Sequence, residues 1–363
     1  MRPRLAIGTM TGTSLDALDA CLVRIEGVGL AMRVQVLRHS TTDLGALRGR
    51  LRSACDGEPM SAGDLASLAL EFGRLHAEAI TDLAGELTPD LVALHGQTVF
   101  HAPPSSWQLV NPWPVAQRMR CAVVSDLRGA DLAAGGQGAP ITPLADWILF
   151  RNPQPTAIVN LGGFCNVTWL PAEASGPEAI GGADICPCNH LLDAAARQAL
   201  RRPFDADGGV AISGRAHLDR TPPLDAALRA AASAGRSLGT GDECVGLIQG
   251  LSDLPPADLL ASVVHAVGRR IGQEACSREG TAKVVLAGGG VRNAALRHAI
   301  TRAAGVRTVT DSAALGVPVE ARESAEMAIL GTLAWDGVPI TLPGVTRRAS
   351  TVPRAGQWCL PPT

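Results

Sequence analysis

Short apolar runs separated by loops of small residues set the rhythm of this chain. Residues 5–7 and 20–25 are apolar runs on either side of such a loop, and residues 32–37 add a third, so the chain opens as strands. Apolar positions then recur at helical spacing over 44–54 and 61–87. Ser61 and Asp64 suit the start of the second helix, because both can accept from its unpaired amides. Residues 90–94 read as a strand, 114–120 as a helix and 122–124 as a strand. At Asn152-Pro-Gln-Pro155 the composition breaks and the opening pattern returns, with strand 156–160, small-residue loop 161–166 and strand 167–170. Helices over about 190–200 and 257–276, a strand at 283–287, a helix from 294, a strand at 307–309 and an amphipathic helix over 323–335 complete the pattern.

Two strand–glycine loop–strand units, one opening each half, point to an internally duplicated α/β fold. The expected division is a first domain over 1–150, a second over 151–345 whose last helix packs back on the first, and a tail over 346–363. Composition narrows the function. With 32 basic and 34 acidic residues, nothing favours nucleic acid or an anionic membrane as a partner. No apolar run approaches the length of a spanning helix. Nine cysteines without a CxxC pair, and no apolar leader, suggest a reducing cytoplasm.

The candidate chemistry sits in the loops. Gly8 and Gly12 allow tight turning, Thr9, Thr11, Thr13 and Ser14 supply hydroxyls, and Asp16 and Asp19 follow. Such a loop can cradle phosphate oxygens, or it can be an ordinary hairpin with two solvated aspartates. It is not a P-loop: Lys283 is the sole lysine, and a strand follows where a helix should begin. His95, Gln97, Thr98 and His101 come just past a strand's carboxyl end, where open α/β sheets place ligands, although a polar turn gives the same pattern. Arg128 can grip a carboxylate or phosphate; with Asp131 and the run Gly135-Gly-Gln137-Gly138 it forms a substrate loop, or a surface ion pair and linker. Asp184 is expected in a tight loop before a helix capped by Asn189, whose amino end favours anions. Cys165, Cys186, Cys188 and His190 lack structural-zinc spacing and read as small buried residues. Strand, Gly288-Gly289-Gly290, Asn293 and helix form a credible purine site.

Taken together and in order, these motifs resemble the anhydro-N-acetylmuramic acid kinases over almost the whole chain. The resemblance rests on Met10-Thr-Gly-Thr-Ser-Leu-Asp-Ala17, His95-Gly-Gln-Thr-Val99, Asp126-Leu-Arg128 with Asp131, Gly135 to Pro140, Asn160-Leu-Gly-Gly163 with Asn166, Asp184 to Asn189, Gly288 to Asn293, Glu323 and Leu342-Pro-Gly-Val-Thr346. It implies the duplicated actin-like/sugar kinase (ribonuclease H-like) fold, with ATP and Mg2+ in a cleft that closes between the halves. It also implies a reaction in which water opens the 1,6-anhydro bridge while ATP phosphorylates the freed oxygen, in peptidoglycan recycling. On this resemblance Asp184 is the general base. Gly12, Thr13, Ser14, Leu15, Asp16, Ala17, Leu18 and Asp19, with Gly162, Gly163 and Asn166, serve the ATP phosphates. Gly288, Gly289, Gly290 and Asn293 serve adenosine. His95, Gln97, Thr98, Arg128, Asp131 and Asn189 serve the sugar, with Gln137 and Glu323 as further candidates and the metal ligands unassigned. The expected partners are a small sugar and ATP, with neither nucleic acid nor membrane, and a homodimer left open. A kinase for another sugar, or a non-catalytic nucleotide-binding relative, remain the alternatives.

The departures fall on the loops. Ala17, Cys186 and Cys188 stand where the family pattern has glycine, and Cys165 where a smaller residue is usual. Gln108-Leu-Val-Asn111 and Arg236-Ser-Leu-Gly-Thr240 replace two further motifs. If a replaced glycine had positive φ, its substitution would cost about 1–3 kcal/mol.

Overall fold

In the computed structural model, the described residues are 2–12, 14–233, 242–349 and 352–361. The Arg236-to-Thr240 motif lies outside them. The strands in chain order are β1 (Arg4–Met10), β2 (Ala17–Glu26), β3 (Arg33–Asp43), β4 (Leu91–Leu94), β5 (Gln97–Ala102), β6 (Ser105–Leu109) and β7 (Ala122–Ser125). They continue with β8 (Thr156–Leu161), β9 (Phe164–Leu170), β10 (Gly181–Pro187), β11 (Lys283–Ala287), β12 (Thr308–Asp311) and β13 (Gln357–Cys359). The chain forms two compact units, one of Met1–Arg151, Pro177–Ile180 and Gly316–Thr363, the other of Asn152–Gly176 and Gly181–Leu315.

The first unit has a sheet in the order β13-β7-β4-β1-β2-β3. β1 runs antiparallel to β2 and parallel to β4, which runs parallel to β7. Ile7, Leu22, Val92 and Leu94 of this sheet pack against Ala77, Ile80 and Leu83 of helix Ala62–Ala84. That helix starts where the sequence places it: Ser61 accepts from the Asp64 amide at 3.1 Å, and Asp64 accepts from the Ser61 amide at 3.2 Å. Helix Arg322–Trp335 is buried over nearly its whole length because β1 offers it Gly8. Any Cβ at Gly8 would collide with the Ser324 carbonyl and the Ala328 amide. The last residues, expected only as a tail, contribute β13, which pairs antiparallel with β7.

The second unit repeats the plan in the order β10-β9-β8-β11-β12. β8 runs antiparallel to β9, β9 to β10, and β8 and β11 lead parallel neighbours. Without β13, the first sheet has the same order and senses, so the duplication is one of topology: the ribonuclease H-like sheet occurs twice. The sequence gives no apolar alternation for β10, whose Gly181-Gly-Ala-Asp184 start lacks branched side chains. It forms nonetheless, as an edge strand held by pairing with β9.

Candidate active site

In the first unit β1, β4 and β7 are parallel, so the loops that follow them leave one end of the sheet. After β1 come Thr11, Gly12, Ser14, Leu15 and Asp16; Thr13 lies outside the described residues. Leu15 takes a left-handed φ of 57° while its side chain is fully buried. That conformation costs a non-glycine residue about 1–2 kcal/mol and is held here by the core anchor and by the Leu15 amide donating to Gly12 O at 3.1 Å. Arg52 donates to Ser14 O at 2.8 Å, and Arg48 donates to Asp16 O, so the carbonyls of the turn are claimed by guanidinium groups. The Thr9 and Thr11 hydroxyls are buried and have no hydrogen-bond partner among the described residues. Leu18 is core. Ala17 and Asp19 lie on β2, where Asp19 accepts from Thr41 Oγ1 at 2.7 Å. Burial pushes the Asp19 carboxyl up against that hydrogen bond, and the charges of Glu323 and Glu320 push the same way.

His95 follows β4 directly and is buried. Arg128, beyond β7, donates to His95 Nε2 at 2.9 Å and to Gly138 O at 2.8 Å. A guanidinium cannot accept, so His95 Nε2 is the acceptor and Nδ1 carries the hydrogen toward Gly96 O at 2.9 Å. Burial, and then the Arg128 charge, pull this imidazole down to about 3, so it is neutral at physiological pH. Asp131 is buried as well: Oδ2 accepts from the Gly138 amide at 2.8 Å and Oδ1 from Thr346 Oγ1 at 2.7 Å. Gln137 has an exposed side chain, and its amide donates to Thr346 O at 2.8 Å.

Gln97 and Thr98 begin the small β5–β6 sheet, where the sequence suggested a ligand-pocket loop or a polar turn and no strand. Gln97 Nε2 faces Cys55 Sγ at 3.5 Å and Thr98 O at 3.4 Å, leaving its buried Oε1 without a partner. Thr98 Oγ1 accepts from Gln108 Nε2 at 3.4 Å, and His101 Nδ1 lies 2.9 Å from Ser106 Oγ.

In the second unit the loops after β8 and β11 leave one end of the parallel pair. Gly162 and Gly163 form the first, Gly288, Gly289 and Gly290 the second. Asn189 joins them: its Nδ2 donates to Leu161 O at 3.0 Å, its amide donates to Gly162 O at 3.1 Å, and a Cβ on Gly290 would come within 3.0 Å of its Oδ1. Gly288 has φ 80° and could bear no side chain without meeting Asn160 and Leu161. Gly289 faces open space. Asn293 is the N-cap of helix Ala294–Ala304, its Oδ1 accepting from the Leu296 amide at 2.9 Å.

Two local expectations are corrected here. Asp184 is not in a loop before a helix. It lies within β10, half-buried opposite Asn166, at a register shift between Asp184 and Cys186. The bulge re-aims a side chain on an edge strand, which a tight loop was expected to do. Asn189 is not the cap of the following helix but its first residue; Cys188 occupies the cap and provides no side-chain bond. Cys165, Cys186 and Cys188 are fully buried, and burial pushes all three thiols up, Cys186 to about 12. Among the described residues no cluster of three His, Cys, Asp or Glu could hold a metal. Sequence reasoning missed Arg48, Arg52, Cys55 and Thr346; only Thr346 stood in a recognised motif, without a role.

Repeated ribonuclease H-like sheets, each with a turn of small residues between its first two strands and ligand-type loops at the carboxyl ends, define the actin-like and sugar kinase class. The chain belongs to the anhydro-N-acetylmuramic acid kinase family, whose model matches residues 4–355. Relatives bearing that name include the protein of Gloeobacter violaceus, 33% identical over 97% of this chain and 98% of its own. That of Acidiphilium cryptum is 36% identical over 94% of each. Among solved structures, component A of the Acidaminococcus fermentans (R)-2-hydroxyglutaryl-CoA dehydratase is 12% identical with a TM-score of 0.48, covering 91% of this chain and 98% of that one. A Streptomyces griseus ROK family glucokinase with glucose and AMPPNP is 13% identical with a TM-score of 0.42, covering 90% and 99%.

Proposed function

We propose that this chain uses ATP and water to convert anhydro-N-acetylmuramic acid to N-acetylmuramic acid 6-phosphate. The observation that carries the reading is Asp184, a half-buried acidic side chain beside a register shift in the strand that leads to Asn189, which hydrogen-bonds the first of the two glycine loops. Water attacks the anomeric carbon and gives its proton to Asp184. The bond from that carbon to the bridging oxygen breaks, and the oxygen, still on C6, takes the γ-phosphoryl group as ADP leaves. Neutral water is a poor nucleophile, so a positioned base is what the step requires.

Residues 12–19, with Gly162, Gly163 and Asn166, serve the phosphates, and Gly288 to Asn293 serve adenosine. Arg128 and Gln97 serve the sugar. Mg2+ supplies charge neutralisation at the phosphates. Such an ion would be held by one or two carboxylates together with the substrate phosphates, which requires no cluster of three acidic side chains. Asp16 and Asp19 would meet that need: burial, and then the charges of Glu323 and Glu320, raise the Asp19 carboxyl, and a cation would offset that cost. No helix among the described residues is long and apolar enough to cross a membrane. The proposed setting is the cytoplasm, in cell-wall recycling.

An ADP-release assay over a panel of anhydrosugars and their opened counterparts tests the reading. Turnover is expected with anhydro-N-acetylmuramic acid and not with N-acetylmuramic acid. Turnover confined to a sugar without an anhydro bridge, or ADP release indifferent to sugar, would overturn it.

A further inference from the structure

The proposal concerns Thr346, in the short helix Pro343–Thr346, and it rests on the reading of Arg128 as a sugar-binding residue. Thr346 is fully buried. Its hydroxyl donates to Asp131 Oδ1 at 2.7 Å, and its carbonyl accepts from the Gln137 amide at 2.8 Å. Asp131 Oδ2 takes the Gly138 amide, while the carbonyl of the same Gly138 takes Arg128 at 2.8 Å. Residues 137 and 138 are thereby clasped by Thr346 and Asp131 and present one carbonyl to the arginine. The glycines are required for this shape. A Cβ on Gly136 would collide with the Asp131 carboxylate, and Gly138 holds a φ of 64° against the Leu132 side chain. From Arg128 the chain of contacts ends at His95 Nε2, 2.9 Å away.

Asp131 is buried with both carboxylate oxygens accepting, and His95 is buried with both ring nitrogens engaged. Arg348 Nε also lies 3.8 Å from Asp131 Oδ1, so both side chains, expected from the sequence to face a sugar, are already committed to contacts within the protein. We propose that Thr346 and Asp131 are positioning residues that act through Gly138 to fix the Arg128 guanidinium, with His95 as its buried rest. Arg128 then meets its ligand without first losing side-chain freedom, which is how a support away from the ligand raises affinity.

Thr346→Val keeps the shape and removes the donor. The KM for the anhydrosugar should rise about tenfold, the effect of losing a hydrogen bond to a buried carboxylate that keeps only the longer Arg348 contact on that oxygen, with kcat and the KM for ATP within about twofold. Thr346→Ser should restore it. Nitrogen-15 NMR, with His95 identified by difference from His95→Gln, should show one Nδ1–H tautomer in the native chain and a mixture in Thr346→Val. An unchanged sugar KM with an unchanged imidazole pattern would overturn the proposal, as would a fall in kcat with both KM values unmoved. Thr346→Ala carries the same test if the valine chain does not fold. Should the native enzyme turn over no anhydrosugar, the proposed activity falls, and the imidazole pattern still decides the positioning.

Discussion

A carboxylate that accepts a proton from water must be ionised, held still and within reach of the reacting carbon. Backbone pairing of β10 on either side of the register shift holds the Asp184 Cα still. Asp184→Asn keeps the shape and removes the basic oxygen. Turnover should fall about 10²–10⁴-fold while nucleotide affinity, read by calorimetry, stays near native; near-native turnover would leave Asp184 as a strand residue only. The family was legible in the sequence, because Asp184, Arg128 and the glycine loops stand in recognisable order. What each does with its atoms was not. Asp131 reads as a sugar ligand in one dimension because nothing local shows Thr346 and the Gly138 amide filling its oxygens. The cysteines at 186 and 188 make the converse point. Neither adopts positive φ, so the feared strain is absent, and both are simply buried. Changing both to glycine should lower stability by about 2 kcal/mol or more, through lost packing and added chain freedom, without releasing zinc. Thermal melts and metal analysis of the double variant check both halves; stoichiometric zinc in the native protein would contradict it.

Elements showed themselves in the sequence in proportion to their pattern. Helix Ala62–Ala84 did so at both levels, by its apolar stripe and by the Ser61–Asp64 capping box. Ser61→Ala should cost about 1 kcal/mol in denaturant unfolding, and a change below a few tenths would mean that the box contributes nothing. β10 and the β5–β6 pair were missed for one reason: neither carries a clean apolar alternation, so their pairing and not their own residue pattern marks them as strands. β10 is an edge strand of small residues, and β5 has a register shift between Thr98 and Phe100 that breaks its alternation. Helix Pro143–Phe150 was hidden differently, since it is apolar almost all round and shows no period. Packing between elements supplies a sharper test. Gly8→Ala would drive a methyl into the backbone of helix Arg322–Trp335, which no rotamer change can relieve. We expect about 3 kcal/mol of destabilisation or an insoluble chain, whereas Gly49→Ala, where a Cβ meets nothing within 4 Å, should be neutral or mildly stabilising. Equal melting temperatures for the two variants would refute the close approach.

At the scale of the molecule, two sheets of one topology carry different buried charge, and this makes acid a selective probe. In the first unit His76 sits wholly inside helix Ala62–Ala84, its Nδ1 against Phe72 O at 2.8 Å and its Nε2 without a partner. Burial lowers it from 6.5 to about 4, and His95 goes to about 3 by burial and the Arg128 charge. In the second unit the corresponding feature is weaker: His265, only partly buried, is lowered by burial and by Arg302. An imidazole kept neutral by the fold regains its ordinary proton affinity when the chain unfolds. Below 6.5 these two groups bind more protons in the unfolded state, so the stability they contribute is full above that value. It falls as the pH drops through the window, down to about 4 for His76 and about 3 for His95. Their share of the melting-temperature dependence should set in below 6.5 and grow as the pH falls, against Glu326, whose carboxyl burial raises well above 4.5 and which stabilises the fold most at low pH. Hydrogen exchange, corrected for its intrinsic pH dependence, should show protection lost first in helix Ala62–Ala84 and β4, and later in β8 and β11. His76→Gln, neutral at every pH, should flatten the part of the decline that belongs to that residue, even if the variant starts less stable. A decline of unchanged slope in His76→Gln, or loss of protection in β8 and β11 before β4, would show that these imidazoles do not govern the acid response.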